Sequence, residues 1–373
     1  MSATPEEIAV KRQRWMTVAR QVATPLISVL LAMITGSLIV LVTGGDPVAA
    51  FAALWDGAFG TPYQIGETVM RATPLIFTGL AIAYGFRAGL FNIGAEGQLF
   101  MGGLAVAWLG IALAPLPWFL TVPLMLIGGA LAGAAWAFIP ALLKAKVGAH
   151  EVITTMMFSW IARYFVSYML DGPMKAPGPD GQPGTIPVSQ MLPPQSTLVK
   201  FNQVFKFIPT NNAHLGFLIA VVLAVVVWLV LRYTTIGYEA RAVGFNPFAS
   251  ETGGISVART TVISLCISGA LAGLAGVTEV MGVHHRMSDQ FSAGFGFTGI
   301  AVALLAKNNP LAVIPAAILF GALSAGAGLM QLNANVPDKL VDIIQALVIF
   351  FVAAETVVTW FVKRRMKEVT KHV

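Results

Sequence analysis

The chain has 373 residues, of which 57% are hydrophobic and only 11% are charged, whereas an ordinary soluble domain has about 25% charged residues. That composition excludes a soluble domain, because too few polar residues remain to face water. Lipid-exposed backbone must satisfy its own hydrogen bonds, so only helices or a closed barrel can span a bilayer. Runs such as Leu215 to Leu231 are apolar all round and lack the alternation of barrel strands. We therefore predict an all-α polytopic membrane protein.

Apolar runs of roughly 20 residues predict about ten transmembrane helices. The eighth run is short and rich in glycine, so we expect it to be broken or re-entrant. The single cysteine, Cys266, excludes a disulfide framework within the chain. The predicted spans lie near residues 24–43, 68–86, 89–113, 117–140, 151–170, 214–231, 260–282, 295–307, 311–331 and 337–362.

Basic residues predict the orientation, since cytoplasmic loops are enriched in Lys and Arg. Lys11, Arg12, Arg14 and Arg20 precede the first apolar run, which we interpret as a signal anchor because no convincing cleavage site follows it. Most other basic residues fall in loops that are cytoplasmic if both termini are inside. The net charge of +6 follows from this asymmetry, so no nucleic-acid partner is needed to explain it. The predicted organisation is a cytoplasmic segment 1–23, a transmembrane domain 24–362 and a cytoplasmic tail 363–373.

Two predicted loops are long enough to carry a function. The external loop, 171–213, is rich in proline and glycine and cannot be one regular helix. It is either a connector or a surface for an external partner. In the cytoplasmic loop, 232–259, helix formers precede Gly244, which we expect to end a helix. Asn246 followed by Pro247 then predicts the start of a second short helix.

The cytoplasmic loop also carries the pattern Glu-Ala-x-Ala-x-Gly from Glu239 to Gly244, with Ile255 eleven positions later. This pattern resembles the loop with which permeases of ATP-binding-cassette (ABC) importers contact their ATPase. Ile255 is followed by Ser-Val rather than Leu-Pro, a departure that points away from the type I permeases. The chain is similar instead to the permeases of ribose, branched-chain amino acid and nucleoside importers, and most of all to the nucleoside branch. The segments that carry this resemblance are 89–98, 241–247, 268–276 and 294–305, within about residues 65–360.

The resemblance implies a type II importer fold in a bacterial cytoplasmic (inner) membrane, with lipid around it. It also implies three protein partners: a separate ATPase subunit that uses the ATP, an extracytoplasmic substrate-binding protein, and a shorter related permease that completes a heterodimer. The solute would be small and polar, a nucleoside or alternatively a monosaccharide such as ribose, and this chain would bind no cofactor. The residues expected to couple to the ATPase are Gly237, Tyr238, Glu239, Arg241, Ala242, Gly244, Asn246, Pro247 and Glu251.

Two glycine-rich segments predict broken helices that line the path of the solute. Asn92, Glu96 and Gln98 open an apolar span, and polar side chains in hydrocarbon are costly unless they face protein or water. Alternatively, Glu96 simply reaches the cytoplasmic interface. Phe295 and Phe297 could offer ring faces to a base or sugar, or could be core residues. The predicted path residues are Phe91, Asn92, Glu96, Gln98, Phe295, Phe297 and Thr298.

Other patterns carry less chemistry. Gly294 to Gly299 matches G-x-G-x-x-G, but neither a preceding strand nor a downstream acidic residue supports a dinucleotide site. Gly129-x-x-x-Gly133 and Gly269-x-x-x-Gly273 predict close helix packing. His284, His285 and Asp289 do not have the spacing of a metal site, and Glu279 is expected to be solvated at a span end.

The sequence shows no Walker A pattern, no Ser-His-Asp arrangement and no metal signature, so we assign no catalytic residues and do not expect an enzyme. The competing class is an ion-coupled secondary transporter, which normally has acidic or polar residues near the middle of its spans. Spans four, six and nine have no acidic residue. Neighbouring genes for an ATPase and a binding protein would discriminate between the two classes.

Overall fold

The computed structural model describes residues 25–178, 184–204, 211–337, 339–352 and 354. This part of the chain is an all-α polytopic membrane protein, and seven of its helices are long and apolar enough to cross a membrane. The helices are α1 (Pro25–Val42), α2 (Pro47–Phe59), α3 (Pro62–Arg87), α4 (Ala95–Ala112), α5 (Trp118–Val147), α6 (Glu151–Asp171), α7 (Phe201–Val204), α8 (Gly216–Tyr233), α9 (Thr235–Phe245), α10 (Pro247–Thr252), α11 (Val257–Glu279, extended by a π turn, Val280–His284), α12 (Phe295–Leu305), α13 (Pro310–Ala334) and α14 (339–352).

Glycine residues allow the helices α5 and α11 to pack closely against each other. A Cβ on Gly133 of α5 would overlap the carbonyl oxygen of Gly269 on α11, and a Cβ on Gly269 would lie 2.6 Å from the carbonyl oxygen of Gly133. Only glycine permits this distance between backbones, because any other residue would collide with the facing helix. The packing predicted from the two G-x-x-x-G patterns is confirmed.

Three of the basic residues that we assigned to the cytoplasmic side, Arg87, Arg232 and Arg241, lie together at one end of the bundle, which we call the coupling end. Arg87 closes α3 there, and its Nε donates a hydrogen bond to the carbonyl oxygen of Asn308, 2.9 Å away, between α12 and α13. Arg87 also lines one cavity with Arg232 and Arg241. This grouping agrees with the predicted orientation, in which all three loops face the cytoplasm.

The eighth predicted span is an 11-residue helix, α12. Eleven residues of helix extend about 16 Å, roughly half of the ~30 Å hydrocarbon layer. Residues 285–294 are not helical and reach α12 from the opposite end of the bundle, where the amide of Leu192 donates to the carbonyl oxygen of His285. The segment therefore joins the two ends of the bundle as an irregular, non-helical stretch followed by a short helix, which agrees with the expected break.

The helix α2 is a correction to the sequence analysis, which placed no element between residues 43 and 68. The local signal was present: the Asp46 side chain accepts a hydrogen bond from the amide of Val48, and Pro47 occupies the first helical position. At 13 residues, α2 is too short to read as a span from hydropathy. It packs against α3 and the far half of α13.

The described part of the external loop is packed rather than free. The amide of Leu198 donates to the carbonyl oxygen of Met281, and the Ser196 hydroxyl donates to the carbonyl oxygen of Gly110, 2.8 Å away. Leu192 is buried beneath it. Residues 184–200 thus form an outer strap over the ends of α4, α5 and α11, and whether this strap meets an external partner stays a prediction.

Candidate functional site

The cytoplasmic loop forms the two short helices that the sequence predicted. The Thr234 hydroxyl caps α9 by accepting from the amide of Gly237, and the Asn246 side chain caps α10 by accepting from the amide of Ala249. Pro247 is the first residue of α10. The expected end of the first helix at Gly244 was wrong by one residue, because α9 continues to Phe245.

Gly244 has a different task from the one we expected. Its Cα lies against the backbone of Gly89, and a Cβ at position 244 would overlap the carbonyl oxygen of Arg87. No other residue would leave room for this contact. The coupling helix α9 therefore touches, backbone to backbone, the chain that leads from α3 into the polar segment before α4.

The predicted coupling residues lie on two faces of α9 and α10. Glu239 and Arg241 face the bundle: Glu239 lies 3.5 Å from the Thr260 hydroxyl, and the Nε of Arg241 donates to the carbonyl oxygen of Gly237. The outward face is aromatic instead, with exposed fractions of 60% for Tyr238, 90% for Phe245 and 83% for Phe248. Sequence reasoning missed Phe245 and Phe248, although two large rings beside the Asn-Pro turn were a usable signal.

The remaining coupling residues share no single environment. Gly237 is buried against the last turn of α8, Ala242 is half-buried, and Glu251 is exposed on α10. Only part of the predicted set is therefore available to a partner from outside the bundle.

The first break in the helices, residues 88–94, is closed by a network of side-chain amides. The Nδ2 of Asn92 donates to the Oε1 of Gln98 (2.8 Å) and lies 2.9 Å from the hydroxyl of Ser268, while the Nε2 of Gln98 donates back to Asn92. Asn92 is 0% exposed and Gln98 is 1% exposed. Phe91, the fourth predicted path residue of this segment, stacks on Phe86 with 5.0 Å between ring centroids.

This network lies deep in the bundle. Ser268 is the twelfth of the 23 residues of α11, and its hydroxyl donates to the carbonyl oxygen of Ala81. The first break therefore rises from the coupling end to the middle of the membrane domain before α4 begins. Its polar groups satisfy one another and leave nothing free for a solute.

Glu96 joins the first break to the second break, residues 285–294. Its carboxylate accepts hydrogen bonds from the amide of Gly296 at 2.6 Å and from the hydroxyl of Ser292 at 2.7 Å. The amide belongs to the first turn of α12, where unpaired N–H groups and the helix dipole favour negative charge. Glu96 is 7% exposed, so the alternative that it reaches the cytoplasmic interface is wrong.

A cavity of about 420 Å³ opens beside Glu96 at the second break. Phe297, 46% exposed, presents its ring there, whereas Phe295 packs against the core and Thr298 does not line the cavity. Of the seven predicted path residues, the structure thus brings only Glu96 and Phe297 to this space. The lining residues are Glu96, Phe100, Ser159, Trp160, Arg163, Asp289, Gln290, Ser292, Ala293, Gly294 and Phe297.

The sequence analysis missed nine of the eleven lining residues, among them Trp160, Arg163 and Asp289. Trp160 and Arg163 lie on the exposed face of α6, and Arg163 is the thirteenth of its 21 residues. An exposed arginine in the middle of a membrane helix is costly unless it faces protein or water, and that was the signal available. Asp289 also lines the cavity, and its Oδ1 is buried without a hydrogen-bond partner.

Glu279 corrects another expectation, since it is 4% exposed rather than solvated. Its carboxylate lies 3.6 Å from the Nε2 of His284 at the end of α11. Among the described residues no group of three or more potential metal ligands is present.

Comparison with known proteins places the chain in a family. A family model described as the permease component of branched-chain amino acid transport systems matches residues 64–353. The chain belongs to this permease family. No solved structure matches the chain.

Three curated relatives are permease proteins of ABC transporters. The guanosine permease protein of Bacillus subtilis is 40% identical over 92% of this chain and 96% of its own length. A nucleoside permease protein of Lactococcus lactis subsp. cremoris is 35% identical over 91% of this chain and 92% of its own length. A glucose permease protein of Haloferax volcanii is 36% identical over 88% of this chain and 86% of its own length.

Bacillus subtilis has a second guanosine permease protein that is 25% identical to this chain, and Lactococcus lactis has a second nucleoside permease protein that is 27% identical. In each bacterium, one of the two permease proteins is therefore considerably more similar to this chain than the other.

Proposed function

We propose that this permease is the subunit of an ABC importer that carries a nucleoside across the membrane. The observation that carries the proposal is the cavity at the second break, which aromatic rings and charged side chains line together. The 40% identity to a guanosine permease protein supports the same substrate class. Because the relatives are ABC permeases, an ion-coupled mechanism has no remaining support.

The chemistry of the cavity suits a nucleoside. Its volume lies within the range of about 300–1,000 Å³ typical of small-molecule sites. Trp160 and Phe297 offer ring faces on which a base can stack. Asp289 lines the cavity with a carboxylate that can accept from a sugar hydroxyl or a base N–H, and Arg163 offers donors to carbonyl oxygens of the base.

A monosaccharide is the second candidate, because the glucose permease protein of Haloferax volcanii is 36% identical to this chain. Sugars also stack their C–H faces on aromatic rings and donate hydroxyls to carboxylates. The ring pair at the cavity therefore supports both solutes, and the higher identity to the guanosine permease protein favours the nucleoside.

The proposed assembly sits in a bacterial cytoplasmic membrane and holds a second, related permease, an ATPase subunit and an external binding protein. The paired relatives in two bacteria support the heterodimer. ATP would be bound and hydrolysed by the ATPase subunit, with no cofactor on this chain. The aromatic face of Tyr238, Phe245 and Phe248 would dock on that subunit, and the contact between Gly244 and Gly89 would transmit its movement to the first break.

The docking assignment is tested with Phe245→Ser and Phe248→Ser, which remove exposed rings without touching the bundle. We expect both to lower solute-stimulated ATPase activity of the complex while membrane insertion is retained. Thr252→Ser, also exposed on α10 and outside the expected coupling residues, is a matched control for a change at this surface that removes no ring. Full ATPase stimulation in both serine variants would contradict the docking face.

The substrate is tested by uptake of labelled guanosine into cells that express the complete importer. Cells that lack only the ATPase subunit give the background. We expect unlabelled nucleosides to compete, and glucose and ribose not to compete at the same concentrations. Competition by the sugars alone would replace the nucleoside with a monosaccharide.

A further inference from the structure

Three arginines converge on one cavity at the coupling end. Arg87 ends α3, Arg232 ends α8 and Arg241 lies in α9, and together they line a space of about 280 Å³. Neighbouring positive charges repel one another, so such a cluster needs a compensating anion. None of the other lining residues is acidic.

The contacts that hold these arginines involve only neutral groups. Arg87 donates to the carbonyl oxygen of Asn308, and Arg241 donates to the carbonyl oxygen of Gly237. The guanidinium of Arg232 lies over two aromatic rings of α8, 5.4 Å from the ring centroid of Trp228 and 5.5 Å from that of Tyr233. Within the described ranges no carboxylate forms an ion pair with any of the three.

A second space continues from the first. A groove of about 390 Å³ shares Arg87 and Asn309 with the arginine cavity and runs along α13 between α1 and the end of α12. Apart from Arg87, Lys307 and Asn309 at its coupling end, the groove is lined by apolar residues, and Leu26 on its rim is 59% exposed. From Asn309 to Leu319 the groove follows about 15 Å of helix, roughly the depth of one leaflet of a ~30 Å hydrocarbon layer.

We propose that the two spaces form one binding site for an anionic phospholipid, with its phosphate on the arginines and one acyl chain in the groove. Guanidinium groups bind phosphate oxygens with charge-assisted hydrogen bonds. Basic pockets between membrane helices on the cytoplasmic side suit lipid head groups. Tryptophan is enriched where membrane helices meet the head groups, and Trp228 lines the arginine cavity.

Two other anions fit the geometry less well. A soluble phosphate would occupy the arginine cavity and leave the apolar groove unexplained. An acidic surface of the ATPase would approach from the outward face of α9, where Tyr238 and Phe245 are exposed, whereas Arg241 faces the bundle. Only a lipid uses both the charge and the groove. This inference is independent of which solute the importer carries.

The test is native mass spectrometry of the purified importer complex with added phosphatidylglycerol, phosphatidylethanolamine or inorganic phosphate. We expect phosphatidylglycerol to be retained in preference to phosphatidylethanolamine. Arg232→Gln should weaken its retention by about tenfold through loss of a charge-assisted hydrogen bond. Ala312→Phe, which fills the groove without changing a charge, should weaken it similarly.

Lys146→Gln is the matched control, because Lys146 is exposed at the same end of the bundle and lies outside both spaces. It should leave retention unchanged. Equal retention of the two lipids, or unchanged retention in both Arg232→Gln and Ala312→Phe, would overturn the site. Binding of inorganic phosphate with the sensitivity to Arg232→Gln and without sensitivity to Ala312→Phe would replace the lipid with a soluble anion. Loss of ATPase subunit from Arg232→Gln with lipid retention intact would assign the arginines to that partner instead.

Discussion

The two breaks in the transmembrane helices both contain glycine and polar residues, but the polar residues of the first are buried and those of the second line a cavity. At the first break, Asn92 hydrogen-bonds to Gln98 of α4 and to Ser268 of α11, and the exposed fractions of Asn92 and Gln98 are near zero. In the second break, the polar groups around Gly294 open on a cavity that Phe297 shares. Polar residues inside a membrane protein therefore do not by themselves mark a solute path. A polar residue can serve a solute only if its hydrogen-bonding groups are not already bonded to other residues of the protein.

Glu96 is the link between the breaks, so its removal should have the largest effect. Glu96→Ala leaves the amide of Gly296 and the hydroxyl of Ser292 without their acceptor. We expect a loss of roughly 3 kcal/mol of unfolding free energy, two charge-assisted hydrogen bonds, together with loss of transport. Thermal unfolding of the purified protein in detergent measures the first, and uptake measures the second.

Glu96→Gln keeps one acceptor oxygen and should lose about half as much stability. If Glu96→Ala unfolds at the same temperature as the unaltered protein, the carboxylate does not anchor α12.

The network of the first break should matter for stability rather than for solute binding. Asn92→Ala strands the buried amide of Gln98 and should cost about 2–3 kcal/mol of unfolding free energy. Gln290→Ala, an exposed amide at the second break, is the matched control and should cost less than about 0.5 kcal/mol. Equal unfolding temperatures for the two variants would remove the distinction between the breaks.

A buried histidine near the outer strap, His214, gives a comparison for the stability losses predicted at the two breaks, because it lies outside both of them. Burial, with a smaller contribution from the charges of His285 and Lys200, lowers the pKa of His214 to about 4. The unfolded chain has an ordinary histidine pKa near 6.5, so it binds a proton more readily than the folded protein between these two values. Stability is therefore unaffected by His214 above about pH 6.5 and falls as the pH drops toward 4, by about 2 kcal/mol at pH 5.

The measurement is the unfolding temperature between pH 7 and pH 5. In His214→Asn, whose Oδ1 can replace the Nδ1 acceptor of the Gly216 amide, we expect a smaller decrease than in the unaltered protein. An identical decrease in both would mean that other groups account for it.

The smallest effect belongs to the rings of the cavity. Phe297→Ala should raise the KM for nucleoside uptake about tenfold, equivalent to about 1.4 kcal/mol, because one stacking face is lost. Unfolding free energy should change little, since Phe297 is 46% exposed. Phe295→Ala is the control in the same helix, and it should lose stability instead because Phe295 packs against the core. The reverse pattern would exchange the roles of the two rings.

Local signals accounted for what the sequence predicted correctly. The start of α10 could be predicted because Asn246 and Pro247 act within three residues of themselves. The two breaks could be predicted from the sequence because glycine and polar residues interrupt apolar runs there. The close packing of α5 and of α11 followed from their two G-x-x-x-G patterns, whereas the contact between these two helices came from the structure.

What was missed depends on distant parts of the chain. The partner of Glu96 is the amide of Gly296, two hundred positions away, so no local pattern shows that the carboxylate anchors a helix. Trp160, Arg163 and Asp289 become one lining only when α6 packs beside the second break. Gly244 was assigned a local role as a helix end, whereas its function is a contact with Gly89.

We propose that the second break faces the solute and that the first does not. The most direct measurement is labelling of single cysteines with a charged, membrane-impermeant thiol reagent in the assembled importer, after Cys266→Ser. We predict that Phe297→Cys is labelled and that guanosine protects it, whereas Phe91→Cys, stacked on Phe86, is not labelled. Labelling and protection at position 91 with an inert position 297 would contradict the account.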